Sequence, residues 1–417
     1  MDFKPQSYEK IRQLLEKGVI VRNPESLDIG DEVNIDNISS SNVKIYPGCR
    51  IYGKNTVISA GCVLGYEAPV TIDNCWLGSK VDLKGGYFCQ SVFLDNASMG
   101  MGAHVRDGCI LEEQTVGAHC VGLKQTILFP FVTLGSLINF CDCLMAGGTS
   151  RSNHSEVGSS YIHFNFTPNA DKTTPSLIGD VSRGVMLNQP PIFLGGQGGM
   201  VGPLRIGYGA VVAAGSILRK DYPQDNQLIF DIPQPREVRE FIPAAYPGFR
   251  RILGNNILYL ANLKALEAWY THVRKQFFET REFGLLIYEG AMENLSLAMT
   301  ERLKRLKIMA EKAVSMPGRQ VEAEPLDEKL ALFEHFDDIA GVFSGEISDD
   351  IIQRNQESFI QHIRQSGRNG AVPYIELIHQ LPPDISTEGV KWLQSIVDYY
   401  CQRISRVLSS VDLFRTI

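Results

Sequence analysis

The sequence lacks the patterns that would place the chain in a membrane or on nucleic acid. It has no run of eighteen apolar residues that could span a bilayer. Met1-Asp2-Phe3-Lys4 lacks the charged-then-apolar arrangement of a signal peptide. The net charge is -7 and the pI is near 5.7, and no basic stripe interrupts this acidic balance. We therefore expect a cytoplasmic protein whose main partner is neither nucleic acid nor a membrane.

The sequence also lacks paired metal ligands. Its nine cysteines follow no CxxC spacing. His104 and His119 are fifteen residues apart, which does not match the three-histidine zinc site of β-helical carbonic anhydrases. We expect no metal site, and we interpret the cysteines as small, reduced residues of a core.

What the sequence does contain is an aliphatic position that recurs every six residues. A helix would repeat every 3.6 residues and a flat strand every two, so neither explains this period. A hexapeptide-repeat parallel β-helix does, because three hexads of six residues complete one triangular turn of eighteen. The clearest run is Leu194, Met200, Ile206, Val212 and Leu218.

Changes in the spacing of the apolar residues divide the 417 residues into parts. Residues 1–26 contain a helix that would cap the first coil. The hexads predict a β-helix over 27–221, interrupted by a polar, turn-rich loop at 146–175. From 222 to 417 the apolar period becomes helical, which predicts an all-α C-terminal domain. The fold class predicted is thus a parallel β-helix followed by an α-helical domain.

Arg106 and Lys124 are eighteen residues apart, which is one full coil turn. A regular coil would place both cations on one face of adjacent rungs, about 4.8 Å apart. Such cations repel unless an anion lies between them, and a phosphate fits an Arg fork beside a Lys. The alternative is that Asp107, Glu112 or Glu113 neutralises each cation separately on a solvated face.

Several segments resemble the left-handed β-helix half of bifunctional UDP-N-acetylglucosamine pyrophosphorylase/glucosamine-1-phosphate acetyltransferase. The resemblance covers roughly residues 14–221. It rests on the interval from Arg106 to Lys124, on Gly147-Gly148-Thr149 leading to Asn153, and on Phe193-Leu194-Gly195 leading to Ala213-Ala214-Gly215. It implies a left-handed coil, a homotrimer, and acetyl-CoA as the co-substrate.

The resemblance also implies roles for individual residues. Arg106 and Lys124 match the cations that grip the sugar phosphate, and Asn153 matches an acceptor-binding asparagine. Ala213, Ala214 and Gly215 match the small residues along which the pantetheine arm of acetyl-CoA lies.

Three departures from the family pattern affect the chemistry. The N-terminal pyrophosphorylase domain has no counterpart ahead of the first hexad, so uridylyl transfer is not expected. A serine that helps to bind acetyl-CoA is replaced by Gly196. The histidine that acts as general base is replaced by Ser136, and a serine alone is not a base near neutral pH.

His154 is therefore our candidate for the catalytic base, with Glu156 available to orient its ring. The alternative is that His154 only makes a hydrogen bond within a turn. His163, in the same loop, is a weaker candidate. The sequence thus predicts an acyltransferase that acetylates an amino group of a sugar phosphate or nucleotide-sugar. The alternative is a non-catalytic scaffold or sensor that binds such ligands and uses its helical domain to hold a partner.

Overall fold

The computed structural model describes residues 7–231, 238, 244, 246–315, 326–345, 347–366 and 372–414. These residues form a β-solenoid of about eleven turns, followed by a region of several helices. The predicted fold class is confirmed. We predicted that residues 222–417 form a helical domain. Part of this range lies outside the described residues.

The N-terminal helix, Tyr8–Lys17, covers the open end of the first coil. It ends at Gly18, which has the left-handed φ of 98° that glycine adopts without strain. Ile11 and Leu14 are buried beneath the helix. Lys10 Nζ donates to the carbonyl oxygens of Gly30 and Val33, at 3.0 and 2.7 Å. The helix therefore shields the first rung and satisfies some of its carbonyl groups.

The solenoid has three faces of parallel strands. In the described residues the first face contains Ile20–Val21, Lys44–Ile45, Val63–Leu64, Asp82–Leu83, Ser98–Met99, Val116–Gly117, Thr133–Leu134, Glu156–Val157, Phe193–Leu194, Val211–Val212 and Leu228–Ile229. The second contains Asp28–Ile29, Arg50–Tyr52, Val70–Asp73, Gly86–Cys89, Ala103–Val105, Ile162–Phe164, Gly199–Val201 and Ile217–Leu218. The third contains Val57–Ile58, Trp76–Leu77, Ser91–Phe93, Cys109–Leu111, Ser176–Ile178 and Arg205–Ile206. Gly122–Leu128 and Asn139–Met145 bend across the corner and pair on both the second and third faces.

The period of six explains the core of the solenoid. The aliphatic positions of the hexads point inward and stack on equivalent residues one rung away. Leu194, Met200, Val212 and Leu218 are fully buried, and Ile206 is 2 % exposed. The last strand on the first face, Leu228–Ile229, pairs with Val211–Val212. The coil therefore continues past residue 221, where the hexad signal in the sequence ends.

The segment 146–175 does not leave the coil as one loop. Gly148–Ser150 and Asn153–His154 form a small antiparallel hairpin outside the solenoid. Glu156–Val157 and Ile162–Phe164 then rejoin the first and second faces, because they pair with strands on the neighbouring rungs. Residues 165–175 form a second excursion. A third, between Ile178 and Phe193, contains the short helix Val181–Gly184.

The C-terminal helices pack on the third face of the solenoid. Gly284–Ser315 lies against the strands Trp76–Leu77 and Ser91–Phe93, and Phe249–Trp269 lies against Ser176–Ile178. The other described helices are Lys275–Glu279, Leu326–Glu334, Phe336–Ser344, Asp350–Ser366, Tyr374–His379 and Pro383–Val407, and a π-helical turn spans Tyr270–Arg274. Among the helices described, none is long and apolar enough to cross a membrane.

Candidate functional site

Arg106 and Lys124 lie on adjacent rungs of the second face. The register pairs His104 with Gly122 and Val105 with Leu123, so the next residues, Arg106 and Lys124, are neighbours. The Arg106 amide donates to Leu123 O at 2.9 Å, which continues the ladder at this point. The spacing of eighteen residues therefore brings the two cations together as the sequence predicts.

The charges of the two cations are balanced unequally. Lys124 Nζ lies 3.3 Å from Asp107 Oδ1, and both side chains are more than a third exposed. Arg106 is exposed, and its side chain has no hydrogen bond or ion pair with any residue that the structure describes. Lys124 is thus partly neutralised by Asp107, in line with the alternative of separate neutralisation. The guanidinium of Arg106 is available to an anion.

Asn153 and His154 lie on the outer hairpin, at the edge where the third face turns into the first. Asn153 Nδ2 donates to Thr149 Oγ1 at 2.9 Å. His154 Nδ1 is hydrogen-bonded to Arg151 O at 2.8 Å, and its Nε2 lies 3.7 Å from Glu156 Oε2. One ring nitrogen of the half-buried His154 therefore faces its own hairpin, and the other faces the first residue of the next strand on the first face.

His163, the weaker candidate, lies inside the solenoid. Its side chain is 2 % exposed, and Nε2 is hydrogen-bonded to Ser176 Oγ at 2.8 Å. Burial lowers the pKa of His163 to about 3, so the ring is neutral at physiological pH. We assign it to the core.

Ala213, Ala214 and Gly215 form an open corner between the first and second faces. A Cβ on Gly215 would meet nothing within 4 Å. By contrast, a Cβ on Gly195, one rung below, would lie 2.4 Å from the backbone nitrogen of Ala214. The small residues therefore let two rungs pack closely and leave a smooth surface along which an extended chain can lie.

The predicted site residues occupy three different edges of one prism. Arg106 and Lys124 lie where the second face meets the third, and the hairpin of Asn153 and His154 lies where the third meets the first. Ala213–Gly215 lies where the first face meets the second. A single chain therefore does not gather them into one cleft.

Sequence reasoning missed a contact at the position of the family's histidine. Ser136 Oγ is hydrogen-bonded to His119 Nδ1 at 2.8 Å, and His119 is exposed. The two residues are seventeen apart, close to the coil period, so the spacing itself could have revealed the pair.

Glu112 and Glu113 point away from Arg106 and Lys124 and into the interface with the helices. Tyr270 Oη donates to Glu112 Oε1 at 2.6 Å. Arg274 donates from Nη1 and Nη2 to the two oxygens of Glu113, at 3.1 and 2.7 Å. Burial raises the pKa of Glu112 to about 7, while the Arg274 charge opposes that shift. These carboxylates hold the two halves of the chain together and do not neutralise the candidate phosphate site.

The shifted pKa of Glu112 predicts a pH dependence of stability. In the unfolded chain the pKa of this carboxyl is near its usual 4.5, while the folded carboxyl keeps its proton up to a pH of about 7. Since the folded state binds more protons in this window, the free energy of unfolding should fall as the pH rises from about 5 to 7. Glu112→Gln should flatten the fall. Urea unfolding at pH 5 and pH 8 measures this, and equal slopes in variant and parent would contradict it.

Comparison with known proteins supports the resemblance inferred from the sequence. No protein-family model matches the chain. The chain is 29 % identical over 215 residues to the bifunctional protein GlmU of Thermotoga maritima, which covers 51 % of this chain and 42 % of that protein. It is 26 % identical over 223 residues to GlmU of Trichlorobacter lovleyi, covering 53 % of this chain and 43 % of that protein.

About half of this chain resembles GlmU. The match to GlmU of Lawsonia intracellularis is similar, at 27 % identity over 216 residues. The chain spans about two fifths of the length of these GlmU proteins. Together with the solenoid, the matches confirm the resemblance to this bifunctional family.

Proposed function

We propose that the chain is an acyltransferase that moves an acetyl group from acetyl-CoA to an amino group of a sugar phosphate or nucleotide-sugar. The observation that carries the proposal is the pair Arg106 and Lys124 on adjacent rungs, with the Arg106 side chain exposed and unpaired among the described residues. A guanidinium fork beside an ammonium group suits a phosphate oxygen cluster. The similarity to GlmU is consistent with such an acceptor.

The edge at Ala213–Gly215 fits a pantetheine arm, since it is exposed and has no large side chain to obstruct an extended ligand. Acetyl-CoA would supply the acetyl group as a thioester. We assign Asn153, at the tip of the outer hairpin, to contact with the acceptor or the acetyl group, as the resemblance implies. The sequence predicts that His154, which lies beside Glu156, accepts the proton of the acceptor amine.

The three separate edges favour a trimer. In a triangular arrangement of prisms, an edge of one chain faces a different edge of its neighbour, so cations, hairpin and small-residue corner can meet in the groove between chains. The third face is occupied by helices, which leaves the first and second faces for these contacts. Sedimentation at micromolar concentration tests this assembly, and a monomer would leave the site without walls.

Calorimetry with glucosamine 1-phosphate, followed by an acetyl-CoA assay, tests the function. Arg106→Ala should weaken binding by roughly 1.5–3 kcal/mol, the range for losing a hydrogen bond to a charged group. Arg50→Ala is the matched control, because Arg50 is another exposed arginine on the second face. Equal affinity in the parent and in Arg106→Ala would show that Arg106 does not bind the phosphate, and the proposed phosphate site would be wrong.

A non-catalytic scaffold or sensor is the second candidate. The observation in its favour is Ser136 at the position of the family's histidine. A scaffold would bind glucosamine 1-phosphate but has no reason to bind the thioester. Titration with acetyl-CoA therefore separates the two functions, and release of free CoA in the presence of the amino-sugar phosphate decides for the enzyme.

A further inference from the structure

We propose that His119, held by Ser136, is the group that takes the proton from the acceptor amine, and that His154 has no catalytic part. This inference rests on the proposed function, because it assigns the base of the same transfer.

The first argument is the line of residues along one edge. Where the first face turns into the second, a backbone ladder runs from His119 through Ser136 and Ser159 to Gly196. His119 O accepts from Leu137 N at 3.1 Å, and Ser136 O accepts from Ser160 N at 2.8 Å. The ladder continues where Ser159 O accepts from Gln197 N at 2.8 Å and Gly196 O accepts from Gly215 N at 2.9 Å.

This ladder places His119 on the same edge as the small-residue corner. His119, Ser136, Ser159 and Gly196 occupy equivalent corner positions on successive rungs, and Ala214 follows on the next. At about 4.8 Å a rung, His119 lies roughly 19 Å from the rung of Ala214 along the prism. A ligand extended along the edge can therefore run from one to the other within a single chain, which the hairpin of His154 on another edge does not allow.

The second argument is that the serine and histidine are adjacent at the position where the family has its base. Ser136 occupies that position, and its Oγ lies 2.8 Å from His119 Nδ1. A histidine one rung away thus brings an imidazole to the same corner. The Ser136 amide in turn donates to Ser159 Oγ at 3.2 Å, which fixes the turn that carries the hydroxyl.

The third argument is the state of the two rings. With the proton on Nδ1 donated to Ser136 Oγ, the lone pair of His119 Nε2 is free, and Nε2 has no partner among the described residues. His119 is also exposed, so a ligand can reach it. In His154, Nδ1 is bonded to Arg151 O and Nε2 faces Glu156. A general base needs a free nitrogen within hydrogen-bond reach of the proton it removes.

The proposed step balances as follows. The acceptor amine attacks the thioester carbonyl, an N–C bond forms, and the C–S bond to CoA breaks. The proton that the amine loses moves to His119 Nε2, and the imidazolium then returns it to the departing thiolate. Ser136 is a positioning residue, because it holds Nδ1 and does not touch the substrate.

Release of CoA from acetyl-CoA in the presence of glucosamine 1-phosphate tests the assignment. His119→Gln should lower kcat by roughly 10²- to 10⁴-fold with KM for acetyl-CoA unchanged, the range for losing a general base. Added imidazole should restore part of the rate of His119→Ala. His104→Gln is the matched control, since His104 is an exposed histidine on the second face whose ring lies edge-on to Tyr87. It should retain the parent rate.

Ser136→Ala tests positioning. It should lower kcat less than His119→Gln and leave KM for acetyl-CoA unchanged, and Ser136→Thr should restore much of the rate because it keeps the hydroxyl. If His154→Gln loses the activity while His119→Gln keeps it, His119 is not the base and the proposed function stands. If the parent releases no CoA with glucosamine 1-phosphate or with amino-sugar nucleotides, the proposed function itself fails.

Discussion

Arg274→Met should lower the free energy of unfolding by about 3–5 kcal/mol, the cost of leaving a buried charge without its partner. The Arg274 side chain is 1 % exposed and that of Glu113 is 5 % exposed. The guanidinium also stacks 3.8 Å from the ring centroid of Tyr374. Methionine has a similar volume but cannot balance Glu113, so the carboxylate would remain buried and unpaired between solenoid and helices. Urea denaturation followed by tryptophan fluorescence measures the change.

Two controls separate burial from charge in this experiment. Glu113→Gln in the Arg274→Met background should recover much of the stability, because no unpaired charge then remains. Arg12→Met removes an exposed pair with Glu9, whose side chains are 55 % and 58 % exposed. Its cost should be far smaller than that of Arg274→Met, because water screens an exposed ion pair. If Arg274→Met costs no more than Arg12→Met, the cluster does not hold the two halves together.

Gly290→Ala should destabilise the chain by about 1–3 kcal/mol through overpacking. Gly290 lies on the helix Gly284–Ser315, where a Cβ would fall 2.4 Å from Cδ2 of Trp76. The Trp76 ring is 5 % exposed on the third face, so it has little room to move. The helix approaches the solenoid closely only because this position has no side chain. Thermal or urea unfolding of the variant measures the loss.

Gly341→Ala is the matched control for Gly290→Ala. Gly341 also lies in a helix, Phe336–Ser344, but a Cβ there would meet nothing within 4 Å. Alanine should therefore stabilise this helix by roughly 0.5–1 kcal/mol, the difference in helix propensity. Opposite signs at the two glycines would show that contact with Trp76, and not helix propensity, sets the effect at Gly290. A gain at both would refute the close approach.

Much of the solenoid could be predicted from the sequence, because each hexad meets the same local requirement. An aliphatic residue every six positions must point inward, and the prediction needs no knowledge of distant residues. The same regularity predicts that Arg106 and Lys124 are neighbours on adjacent rungs, as the structure shows. The excursions were harder to place. In 146–175 the sequence is polar and rich in turns, yet Ile162–Phe164 pairs with Gly199–Val201 and remains in the coil.

The candidate site was predictable only in part. The coil period correctly predicts that Arg106 and Lys124 are neighbours. The sequence did not show that the candidate site residues lie on three different edges. That result depends on where each strand begins within its hexad. The coil period places His119 and Ser136 on adjacent rungs, but the hydrogen bond between them also depends on the side-chain rotamers, which the spacing does not specify. The ion pair of Lys124 with Asp107 likewise depends on the side-chain rotamers.

The sequence by itself determined the period of the coil, the change to helices after it, and the one-turn spacing of the cations. Each follows from local repetition. Only the tertiary structure decided that the helices cover the third face, that Glu112 and Glu113 turn toward Tyr270 and Arg274, and that Gly290 rests on Trp76. The contacts of Glu112, Glu113 and Gly290 join residues more than 150 positions apart. No local period connects such partners, so their pairing is set by the packing of the two halves of the chain.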